Sequence, residues 1–257
     1  MPDPSTTPNK PSPPHPGSNT PWSAGQTLGL GLAIAILLPL VNMVVALLMV
    51  GFASVADSSF NQQLFLRGLQ HDGRYLTLAI IATNVATIWL VLQFVRLRGA
   101  VDWQTYLAVR LPPHSAWAVT AVALMLYLSA SHLFGQLYQR PVFPEFLITV
   151  YQSADPLLLF WIAVAIIAPL AEELFFRGFL FVGLRNSRCG ASGAIIITAL
   201  LWSGTHVQYD LYEKVEIFLL GVIFGWLRHQ FNSVLVPFFG HVAMNLLVLT
   251  LLAQHLS

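Results

Sequence analysis

Three polar clusters interrupt an otherwise apolar carboxyl-terminal half: Glu172-Glu173 with Arg177, Trp202 with His206, and His241 with Asn245. The first lies inside a run from Leu157 to Gly183 that is long enough to cross a bilayer. An ionisable side chain there costs about 2.5–3.5 kcal/mol on insertion scales, so such residues are rarely incidental. On a helix, Glu173 and Arg177 share a face one turn apart, acid first, which is the favourable orientation for mutual neutralisation. Glu172 is turned about 100° away and has no cation one turn along its own face. The spacing therefore predicts a structural pair, Glu173 with Arg177, and a carboxylate, Glu172, left for chemistry. The competing reading is a single buried polar network that only holds helices together.

The other two clusters carry an imidazole each. Trp202-x-x-x-His206 sets an aromatic ring one turn before His206, and His241-x-x-x-Asn245 puts imidazole and carboxamide on one helix face. A carboxylate, two imidazoles and an amide can together activate water. Glu172 and one histidine would take a proton from water, while the other histidine and Asn245 would donate to the oxygen that turns negative when a carbonyl is attacked. In isolation His206 reads as a packing or hydrated residue, and His241 with Asn245 as an interhelical hydrogen-bond pair. Their coincidence in one half of the chain favours catalysis. Glu172, His206 and His241 could alternatively be three ligands of a catalytic zinc with an open position. There is no H-E-x-x-H, and a metal-bound Glu172 could no longer be the base, so a metal-independent site is favoured.

The elements that must position these groups are membrane helices. The chain has 257 residues, of which 56% are hydrophobic and only 9% charged, too apolar for an ordinary soluble domain. The expected fold is an all-α bundle of seven transmembrane helices, or eight if a shorter span is hidden. The seven cover about Gly25–Ala56, Tyr75–Val95, Trp117–Leu137, Leu157–Gly183, Ala191–Val207, Val215–Leu227 and Val234–Leu252. Asn84 in the second is expected to bond across helices, and Gly221-x-x-x-Gly225 in the sixth to permit close packing. The acidic loop with Asp210 and Glu213 is expected to be solvated.

Residues 1–24 hold eight of the sixteen prolines and almost no apolar side chains, the composition of a disordered tail. The apolar run after it is too long for a signal peptide, so the tail is expected to be retained. The membrane domain is then 25–257, with a catalytic core over 156–252. Of the basic residues outside the spans, Lys10, Arg96, Arg98, Arg110, Arg185, Arg188 and Arg228 fall on one side. Arg67, Arg74, Arg140 and Lys214 fall on the other, which predicts a cytoplasmic amino terminus. A net charge of +1 argues against nucleic acid as a partner, and a single cysteine, Cys189, excludes a disulfide framework.

The run Glu172-Glu173-Leu174-Phe175-Phe176-Arg177-Gly178 resembles the E-E-x-x-x-R motif of the CAAX prenyl endopeptidase and bacteriocin-processing family, also called the CAAX protease/self-immunity family. Trp202 to His206 is similar to its F-x-x-x-H, with tryptophan for phenylalanine, and His241 to Asn245 to its H-x-x-x-N. The resemblance implies a multi-spanning helical intramembrane endopeptidase acting on a peptide or protein substrate in or at the bilayer. By it, Glu172 is the general base, His206 assists, His241 and Asn245 complete the water or oxyanion site, and Glu173, Arg177 and Trp202 support them. The family has been described both as metalloproteases and as glutamate-dependent enzymes. Two other classes fit a membrane carboxylate with histidines: a proton-coupled transporter and a non-catalytic immunity or partner protein. Against the transporter, no internal repeat is visible.

Overall fold

A computed structural model describes residues 21–99 and 102–257, so the expected tail lies outside the described residues except for its last four. Those four are structured. The Trp22 indole donates to the Phe94 carbonyl at 3.0 Å, and Ser23 with Gln26 forms a capping box that starts the first helix.

Among the described residues the fold is all-α. The helices are α1 (Ala24–Ala56), α2 (Gln62–Gly68), α3 (Gly73–Arg98), α4 (Trp103–Leu107), α5 (Ser115–Leu137), α6 (Glu145–Ser153), α7 (Leu157–Arg185), α8 (Gly190–Thr205), α9 (Leu211–Phe231) and α10 (Leu235–Leu256). Five of them, α1, α3, α5, α7 and α10, are long and apolar enough to cross a membrane. The expected fifth span, α8, is a shorter apolar helix of 16 residues, about 24 Å at 1.5 Å per residue. The expected sixth, α9, is 21 residues long but carries Glu213, Lys214, Glu216 and Arg228, which lower its hydropathy. The chain is a multi-pass integral membrane protein.

Burial divides the helices. The most apolar windows of α7 and α10 are 39% buried, against 11% for α1 and α5. α7 is thus the axis, packed on α1, α3, α4, α8, α9 and α10. Leu174, Phe176, Phe179 and Leu180 of α7 meet Val91, Trp202, Phe224 and Met244 from four neighbours in one core. Gly183 lets α1 approach, since a Cβ there would stand 2.1 Å from Thr27 Oγ1.

The loops gather at two ends. Ser233 Oγ, after α9, donates to the Arg110 carbonyl, and the Val234 amide donates to the Ala108 carbonyl, joining the α9–α10 turn to the segment after α3. At the opposite end Arg140, after α5, bridges Asp210 and Glu213 at the start of α9. These acids are therefore not a freely solvated loop. Asp210 caps α9 in a capping box with Glu213, and Arg140 neutralises both. Asn84 also departs from expectation, because its amide donates at 2.8 Å to Ile80 of its own helix rather than to a neighbour.

α7 is not α-helical throughout. Ala163–Ile167 and Glu173–Leu180 are π-helical and flank the short α segment Ala168–Glu172, which contains Pro169. Proline supplies no N–H, so a change of register beside it is one way to redistribute the ladder. The two glutamates sit at the second junction, Glu172 ending the α segment and Glu173 opening the π segment.

Candidate active site

Glu173 is the buried anchor. Arg177 Nη1 donates to its Oε1 at 3.1 Å, with the two side chains 0% and 1% exposed, the pairing that the spacing predicts. Arg177 also donates through Nη2 to the Gly221 carbonyl at 3.2 Å. Gly221 allows that approach, because a Cβ would lie 3.0 Å from Ala199 Cβ and from the Trp202 ring. The guanidinium lies 4.5 Å from the Trp202 ring centroid and 5.6 Å from that of Phe224, so aromatic faces replace water around it.

Glu173 Oε1 takes a second partner, His241 Nδ1, at 3.0 Å. With Nδ1–H donated to a carboxylate, the other ring nitrogen carries the lone pair and its direction is fixed. That nitrogen, Nε2, stands 4.0 Å from Glu172 Oε2. The separation is too long for a direct hydrogen bond. Phe224 stacks on the imidazole at 5.3 Å and Trp202 meets it edge-on at 5.2 Å, which hold the ring between α8 and α9.

Glu172 differs from its neighbour in access: its side chain is 25% exposed where that of Glu173 is 1% exposed. The Trp202 indole N–H donates to Oε2 at 2.5 Å. Both contacts fall on Oε2, and Oε1 accepts no hydrogen bond among the described residues. Glu172 thus presents one oriented oxygen and one open oxygen beside an imidazole lone pair.

His206 stands one ring further out. It is the C-cap of α8, and its Nδ1 donates to the Trp202 carbonyl at 2.9 Å, leaving Nε2 unprotonated in the neutral ring. Its ring meets Trp202 edge-on at 5.4 Å and stacks on Tyr209 at 6.2 Å. Among the described residues no hydrogen bond or ion pair joins it to Glu172 or His241, so Trp202 is the link.

Asn245 is committed in part to the backbone. Its amide nitrogen donates to the Val164 carbonyl at 2.8 Å. The reason is local: in the π register the Ala168 N–H goes to the Ala163 carbonyl, so Val164 would need the N–H of Pro169, which does not exist. The Asn245 side chain fills that place and ties α10 to α7. Sequence reasoning left this role unread, although a proline five residues after Val164 was the available signal. Phe224 and Arg228 were also missed as site neighbours. Arg228 Nε donates to the Arg177 carbonyl at 2.9 Å, and a lone arginine in the last turn of a largely apolar helix was its signal.

The three groups considered as zinc ligands do not gather. Among the described residues no set of three or more His, Cys, Asp or Glu side chains is placed to hold a metal ion. The donor set of Glu172, His206 and His241 does not fit such a centre.

An all-helical, multi-pass membrane protein with a carboxylate and an imidazole facing each other inside the bundle is the class defined so far. Residues 154–247 match the family model described as Type II CAAX prenyl endopeptidase Rce1-like, and that region is a domain of the Rce1-like CAAX prenyl endopeptidase family. An Escherichia coli protein described as "Uncharacterized 24.3 kDa protein" is 32% identical over 130 residues, which cover 49% of this chain and 57% of that protein. The match thus spans little more than half the length of that relative. No solved structure matches the chain.

Proposed function

We propose that the protein is an intramembrane endopeptidase in which Glu172 activates a water molecule against a peptide carbonyl of a membrane-associated or prenylated-like substrate. The observation that carries this reading is the pairing of Glu172, open at Oε1, with His241 Nε2 at 4.0 Å. Family membership of residues 154–247 supports it. Glu172 takes a proton from water as the hydroxide oxygen bonds to the carbonyl carbon. The same proton then passes to the amide nitrogen as the C–N bond breaks. His241 Nε2, oriented by the Nδ1 contact with Glu173, accepts a hydrogen bond from the attacking water, and buried Arg177 pairs with Glu173. The second amide hydrogen of Asn245, and His206 when protonated at Nε2, are the donors for the oxyanion.

In this reading α8 and α9 cross the bilayer together with the five longer apolar helices, and the sorting of the loops into two ends supports seven crossings. The end holding Arg110, Arg185 and Arg228 faces the cytoplasm together with the amino terminus.

The test compares membrane peptides from cells making the parent protein with those making Glu172→Gln. Peptides trimmed only by the parent are expected. If the folded, inserted Glu172→Gln protein produces the same trimmed peptides at the same rate, the reading fails. His241→Ala separates it from a non-catalytic partner role, which predicts unchanged protection of the cell without cleavage.

A further inference from the structure

At the end of the bundle that holds the α3–α5, α7–α8 and α9–α10 connections, a cleft of about 190 Å³ opens between Thr105, Tyr106, Arg185, Asn186, Arg228 and Asn232. No aspartate or glutamate lines it. It is separate from the candidate active site: Arg185 lies 13 positions after Glu172 on α7, about 20 Å of helix at 1.5 Å per residue. Arg177 and Phe181, both 0% exposed, fill the layer between.

Arg228 is the unusual member. It is 1% exposed, and no carboxylate lies within ion-pair distance of it among the described residues. Nε donates to the Arg177 carbonyl at 2.9 Å and Nη1 to Asn232 Oδ1 at 3.1 Å. Among the described residues Nη2 donates to no protein group, and it is not among the sealed, unpartnered polar atoms. The charges it feels most are like charges, Arg185 and Arg110. A guanidinium taken out of water beside two other cations is unfavourable unless an anion joins it.

We propose that this cleft binds a phosphate ester, with the headgroup of an anionic phospholipid as its source. Arg228 and Arg185 supply the planar donor forks that match phosphate oxygens, and the asparagine amides and Thr105 hydroxyl supply neutral donors. The depth suits a headgroup. Arg185 ends α7 and Arg228 lies in the last turn of α9, while Tyr106 lines the cleft and its hydroxyl accepts from the Trp22 amide at 3.4 Å. Basic pockets between transmembrane helices recognise anionic headgroups through the same chemistry.

The test reads lipid retention, which is independent of proteolysis. Purified full-length protein is placed in nanodiscs of equal phosphatidylglycerol and phosphatidylcholine, extracted into mild detergent, and weighed by native mass spectrometry. The parent is expected to keep phosphatidylglycerol at least threefold over phosphatidylcholine. Arg185→Gln with Asn186→Ala, both lining the cleft, should bring the ratio near one, and Arg188→Gln, an exposed arginine that does not line the cleft, should leave it unchanged. A second arm titrates inorganic phosphate into protein in phosphatidylcholine nanodiscs and follows the melting temperature. Stabilisation of the parent but not of the double variant, without any lipid preference, would assign the cleft to a soluble phosphate. Equal retention of both lipids with no phosphate response overturns the proposal, as does a loss of preference in Arg188→Gln equal to that in the double variant.

Discussion

Two clusters in this protein have nearly the same parts. The buried one joins Glu173 to Arg177, with Glu172 adjacent in sequence and the guanidinium 4.5 Å from the Trp202 ring centroid. The one at the loop end joins Asp210 and Glu213 to Arg140, with the guanidinium 4.8 Å from that of Tyr212. Their surroundings differ. Arg177 and Glu173 are 0% and 1% exposed, whereas Arg140 and Asp210 are 29% and 53% exposed. In the bundle no water can stand in for a lost partner, so each group is fixed by the others and by Gly221, Phe224 and His241. At the loop end solvent can take over either charge, and the cluster serves mainly to start α9 and tie it to the segment after α5.

Function should separate the two clusters most. Glu172→Gln is expected to lower cleavage by about 10²–10⁴-fold, the usual range for a lost general base, with an unchanged melting temperature in detergent. Neither Asp210→Asn nor Arg140→Ala should approach that loss when the same trimmed peptides are counted.

Stability comes next. Arg177→Ala leaves Glu173 buried without its cation and is expected to cost about 3–5 kcal/mol by chemical unfolding in micelles. Replacing both members, as Glu173→Gln with Arg177→Met, should cost less than Arg177→Ala alone, because no uncompensated charge remains. A double variant that is as unstable as the single one would mean that packing, not charge, sets the cost.

Arg140→Ala is expected to shift the melting temperature less than either variant of the buried pair. The shift should shrink in 1 M sodium chloride, where the screening length falls to about 3 Å. The buried pair should keep its effect at that salt concentration.

The smallest effect concerns pH. A hydrogen bond with Glu213, and then the Arg140 guanidinium, hold the Asp210 carboxyl well below the usual carboxylate range. A depressed folded value means stability that is complete above the unfolded value of about 3.9 and lost as pH falls through the folded one. The melting difference between the parent and Asp210→Asn should therefore stay constant from pH 8 to pH 5 and close only below about pH 4.

Much of the site was legible because helical periodicity alone brings residues four apart together. The Glu173–Arg177 pair, the face shared by His241 and Asn245, and the availability of Glu172 all follow from spacing. Trp202 was read as a support and proves to be the donor to Glu172 Oε2. Spacing could not foresee the π turns around Pro169, since they depend on how a missing N–H is redistributed and on a side chain from α10 that takes up the freed carbonyl. Nor could it show that Glu173 is the shared partner of Arg177 and His241, 68 residues apart from the latter.

The sequence by itself determined that the chain enters a bilayer, where its helices begin, and which residue types meet within one turn, because hydrophobicity and the 3.6-residue period are local properties. Only the tertiary structure decided that Glu173 is shared by Arg177 and His241, which nitrogen of His241 faces Glu172, and that the Trp202 indole donates to Glu172 Oε2. Those depend on which helices pack against α7, and contacts between distant segments are set by mutual shape and charge that no single stretch contains.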